Sequence, residues 1–72
     1  MSNMERLQTM VLNLYRAHQT GHRLTSNALL LAQKRLAVAI TTAKVLDAPR
    51  REKEALLGLE DDVRTLKARM EA

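Results

Sequence analysis

His18 and His22 stand four residues apart near the end of an amphipathic stretch. On one unbroken helix that spacing would set two imidazoles on the same face, where they could share a metal ion. Gly21 falls between them and argues against an unbroken helix. A catalytic zinc site also needs a third protein ligand and a structural one a fourth, and the nearby acids are missing. His18 lies on the apolar rhythm of its helix, so it reads as a core-edge residue. Ser2, Ser26 and the threonines fall at helix starts or on helix surfaces, where hydrogen bonding to the backbone accounts for them. No nucleophile has a visible base. Asp61 and Asp62 are adjacent, so they point to different sides of a helix and, with Arg64 close by, read as solvated charge. With Gly21 and Gly58 as its two glycines, the chain has no glycine-rich phosphate loop. The expectation is a protein that is not an enzyme, with no catalytic residue, no metal, no cofactor and no small-molecule substrate.

The elements carrying these residues are helices. Ser2 followed by Glu5 fits a capping box, which starts a helix over about residues 3–19. Thr20-Gly21-His22 ends it, with Gly21 suited to a left-handed cap. Thr25 or Ser26 starts the second helix, over about 26–46, and Leu24 can pack on Leu29 as a hydrophobic staple if Thr25 is the cap. Asp47-Ala48-Pro49 forms the second joint. Asp47 is read as an N-cap and Pro49 as a first-turn proline, which gives a third helix over about 49–71. Glu60 and Arg64 are spaced for a favourable i,i+4 pair. Gly58 in a helix interior costs about 1 kcal/mol relative to alanine.

Three apolar rows follow the 3,4 rhythm of helices that bury a narrow stripe. Met4, Leu7, Val11, Leu14 and His18 form the first, and Leu29, Ala32, Leu36, Ala39, Ala43 and Leu46 the second. Leu56, Leu59, Val63, Leu66 and Met70 form the third. The middle helix carries a further thin stripe, Leu31, Val38 and Val45, roughly opposite its main apolar zone. The fold class is therefore all-α, with residues 1–72 read as a single helical domain. Two or three antiparallel helices make either a helical hairpin or a small three-helix bundle, with coiled-coil-like packing. A 72-residue chain has little volume in which to hide so many stripes. Its sequence has no cysteine to staple it and Tyr15 is its one aromatic residue, so added burial must come from a partner or a second copy. The narrow third row is read as the seam of a homodimer or of a partner contact, and the Leu31, Val38, Val45 stripe as a second sticky surface.

Charge separates the halves. Residues 1–46 carry Arg6, Arg16, Arg23, Lys34, Arg35 and Lys44 against Glu5 alone, whereas residues 47–72 carry a nearly balanced mixture. Arg23, Lys34, Arg35, Lys44, Arg50 and Arg51 are the candidate basic patch, and phosphate contacts of this kind give salt-dependent affinity for nucleic acid. Aromatic residues for stacking on single strands are missing. No apolar run approaches the roughly 20 residues of a membrane span, and no secretory signal is visible. A surface helix for membranes would want bulky aromatics beside a lysine-rich face, where this chain has alanines.

The function expected from these features is a cytoplasmic protein–protein interaction module: a small adaptor, co-chaperone or inhibitor that binds a partner protein, and itself, through apolar helix faces. The alternative is a small basic nucleic-acid-binding regulator. In size and pattern the chain resembles small bacterial or phage accessory proteins such as secretion co-chaperones.

Overall fold

The computed structural model describes residues 2–21 and 23–71. They form three helices and no strand: α1 (Asn3–Gln19), α2 (Ser26–Val45) and α3 (Arg50–Glu71). Each starts and stops where local chemistry directs. The Ser2 hydroxyl accepts from the Glu5 N–H at 3.2 Å and the Thr25 hydroxyl from the Ala28 N–H at 3.1 Å, each satisfying a donor left over at a helix start. Leu24, just before the second cap, is half-buried against the core that contains Leu29, as a hydrophobic staple requires. Gly21 terminates α1 at φ 80°, a region that costs a side-chain-bearing residue and not glycine.

Asp47 does a different job from the one its sequence context suggests. It does not cap the start of α3; it ends α2. Its φ of 51° is left-handed, its N–H donates to the Lys44 carbonyl at 3.3 Å, and the next N–H, of Ala48, donates to the Ala43 carbonyl at 2.9 Å. That pair of bonds is a Schellman motif with aspartate in the position usually held by glycine. Pro49 then serves α3 as expected of a residue with no N–H to satisfy, and its carbonyl accepts from the Glu52 and Lys53 N–H groups.

The helices pack together within one chain. The Tyr15 hydroxyl reaches the Asp62 carbonyl, and Met4 and Leu7 share a depression with Glu52 and Leu56, so α1 runs beside α3 in the same direction. Ser26 and Leu30 share a depression with Lys67 and Met70, and Asn3 and Met4 share one with Thr42 and Leu46. Both proximities make α2 antiparallel to its neighbours, the up-down-up order that short joints favour. The molecule extends 38 Å along its long axis, close to the roughly 33 Å of the 22-residue α3.

The core is aliphatic. Leu7 and Val11 come from α1, Leu29, Ala32, Leu36 and Ala43 from α2, and Leu56, Val63 and Leu66 from α3. Leu36, Val63 and Leu66 are fully enclosed at 0% exposure. Leu59 and Met70 are half-buried against this cluster. The third row is therefore the inner face of the bundle and not a seam left for another chain. A 3,4 rhythm reports that a helix buries a stripe against some helix, and here that helix is in the same molecule. Small Ala32 and Ala43 among the large residues let α2 sit close to its neighbours. No side chain buried in this core is polar or charged among the described residues.

Candidate functional site

With the core closed, α2 still has an apolar side in water. Leu31, Val38 and Val45 are 51%, 66% and 78% exposed. They recur every seven residues, two turns of helix, and so remain on one side over about 21 Å. Leu46, at the end of the same helix, is also exposed, while Leu30 is exposed on the α3 side.

The stripe does not stand alone, because α1 does not close against it. α1 directs Leu7 and Val11 into the core, and among the described residues its one cross-helix hydrogen bond goes to α3. Its packing on α2 is the slightest of the three helix pairs. Two depressions of about 650 and 440 Å³ consequently lie along the α1–α2 line. Arg6, Met10 and Arg35 border both; Leu31 borders one, and Lys34 and Val38 the other. Together they form a trough. Its α1 edge is Asn3, Arg6, Met10 and Asn13, again at 3,4,3 spacing, and extends about 15 Å. Val45 lies on the outer surface beyond the residues that border the trough.

Three cations of α3 are paired and the other three of that helix, Arg51, Lys67 and Arg69, have no ion pair among the described residues. The pairs are Arg50 Nε to Glu54 Oε1 at 3.0 Å, Lys53 Nζ to Asp47 Oδ1 at 3.4 Å, and Arg64 Nη2 to Glu60 Oε1 at 3.3 Å. Arg6, Lys34 and Arg35, at the trough, have no ion pair among the described residues. From Ser26 to Val45 the helix contains no acid at all. Glu52 is the sole acid bordering the trough among the described residues, at the end where α3 begins.

The six cations expected as one basic patch are not one. Arg35 and Lys44 are nine residues apart, so they stand about 180° apart around α2. Arg50 is engaged with Glu54. Lys34 and Arg35 instead gather with Arg6, which contributes from a different helix and was missing from the expected set. Arg23 and Arg51 are exposed and border neither depression.

His18 is half-buried near the end of α1, and its pairing with His22 lies outside the described residues. Among the described residues, no three His, Asp or Glu side chains come together as metal ligands. No described helix is long and apolar enough to cross a membrane. The arrangement is an open trough with apolar side chains along it and cations on both edges. No protein-family model matches this chain, and comparison with curated proteins and with solved structures gives no significant match.

Proposed function

We propose that this protein is a non-enzymatic interaction module, a small adaptor, co-chaperone or inhibitor, that holds a partner protein against the outer side of α2. The observation that carries the reading is the exposure of Leu31 and Val38 after the core is complete. Leu31 and Val38 have about half to two thirds of their surface left to bury, so a partner would gain about 1–2 kcal/mol per side chain before the costs of association. Placement in the cytoplasm belongs to the same proposal and rests on the cysteine-free sequence.

A homodimer through the third apolar row would have to reopen the bundle, since Val63 and Leu66 are enclosed. A twofold contact through α2 would bring further cations and no carboxylate to Lys34 and Arg35, because α2 contains no acid. The partner is therefore a different protein. The nucleic-acid alternative has the gathered cations Arg6, Lys34 and Arg35, but they surround an apolar floor that phosphates would leave uncovered.

A photo-crosslinking residue placed at position 38, with a control variant carrying it at the exposed α3 position of Thr65, tests this in the native cell. Capture of one defined protein from position 38 and not from position 65 is the expected result. Crosslinking of nucleic acid alone, or equal capture from both positions, would contradict it.

A further inference from the structure

We infer that the trough between α1 and α2 receives an amphipathic helix whose apolar row is flanked by acidic side chains. This deepens the interaction reading above and rests on it. The length fits: the α1 edge from Asn3 to Asn13 gives about 15 Å and the α2 edge from Ala28 to Thr42 about 21 Å, room for three to four turns of helix. The floor fits as well. Met10, Leu31 and Val38 offer apolar contacts to residues at i, i+3 or i+4, and i+7 of a docked helix. Methionine adapts its shape to different side chains.

Charge decides what lies beside that row. Arg6 approaches from the α1 side and Lys34 and Arg35 from the α2 side. Among the described residues none of these three has a carboxylate ion-pair partner, α2 contains no acid, and Glu52 is the one acid bordering the trough. A helix with acids on both flanks would meet cations on both edges. Such complementarity steers association and rejects partners of the wrong sign. A second copy of this chain presents the wrong sign, because its α2 brings Lys34 and Arg35 and no acid to the contact. Duplex or single-stranded nucleic acid would leave the apolar floor uncovered, and the chain's one aromatic side chain, Tyr15, has its hydroxyl committed to Asp62.

The test is selection from a displayed library of helices about 16 residues long, or roughly 24 Å. Each has leucine at the anchor positions and flanks randomised among Glu, Lys, Gln and Ser. The probe used afterwards is the enriched peptide itself. We expect enrichment of glutamate on both flanks and binding that falls several-fold as NaCl is raised to about 0.3 M. Affinity should drop about tenfold or more in Arg35→Glu and in Val38→Asp. Circular dichroism of Val38→Asp should match the parent, which separates lost binding from lost folding.

Enrichment of uncharged or lysine-flanked helices that still need Val38 would overturn the acidic partner and leave the interaction module standing. Failure to enrich any helix would overturn the inference, and steeply salt-dependent binding of duplex DNA in its place would overturn the interaction reading as well. A concentration-dependent dimer abolished by Val38→Asp would assign the trough to a second copy and overturn the inference also.

Discussion

The Tyr15 hydroxyl donates to the main-chain carbonyl of Asp62 across 2.9 Å, joining residues 47 apart in the chain. The bond fastens α1 to α3 and not to α2, which is why the α1–α2 side stays open. It also gives a polar tip a partner in an otherwise aliphatic bundle. Tyr15→Phe keeps the ring and removes the bond, so stability should fall by about 0.5–1.5 kcal/mol. For a domain of this size each kcal/mol shifts Tm by roughly 4–8 °C, which a thermal melt followed by circular dichroism resolves. An unchanged Tm would show that the bond has no part in seating α1.

Gly58 offers a gain of stability. A Cβ built there meets nothing within 4 Å, so no close approach by a neighbour requires glycine at this position. Gly58→Ala should stabilise the protein by about 1 kcal/mol through helix propensity. A loss of stability in urea unfolding would contradict the open space around the residue.

Asp47 makes a second local test. Its left-handed backbone favours glycine, so Asp47→Gly should be stabilising by about 0.5–1 kcal/mol, less a few tenths for the exposed 3.4 Å pair with Lys53. Asp47→Val should destabilise by about 1–2 kcal/mol, because a β-branched side chain fits that conformation poorly. If the two variants melted together, the Schellman ending of α2 would be wrong.

The two apolar rows of α2 and α3 should respond oppositely to truncation. Leu66→Ala removes a fully enclosed side chain and should cost about 2–5 kcal/mol. That is comparable with the entire stability of so small a domain, so the variant should be largely unfolded at room temperature. Val38→Ser, on an exposed site, should remain within about 0.5 kcal/mol of the parent. Equal losses, measured by chemical denaturation, would mean that the stripe belongs to the core.

Local features of the fold were legible in the residues themselves. Ser2, Thr25 and Gly21 act through bonds or dihedral angles within a few residues, so their types and positions foretell helix ends. The Glu60–Arg64 pair is of the same kind. Asp47 misleads because aspartate suits both an N-cap and a left-handed C-terminal position, and the choice depends on where α2 stops. The row Leu56, Leu59, Val63, Leu66 and Met70 misleads for a different reason. Its period is the same whether the facing helix is in the same chain or another, and tertiary packing made the choice. Arg6 was missed because nothing near it in sequence connects it to Lys34 and Arg35; only the antiparallel seating of α1 on α2 does. That Arg35 and Lys44 face opposite ways was readable from their spacing alone.

Whether the α1–α2 trough is the contact surface is decided by titrating the selected acidic helix into 15N-labelled protein and following amide shifts. Docking in the trough should concentrate the changes at Arg6, Met10, Leu31, Lys34, Arg35 and Val38. Changes centred on Leu57, Arg51 or the exposed side of α3 would place the contact elsewhere and contradict it.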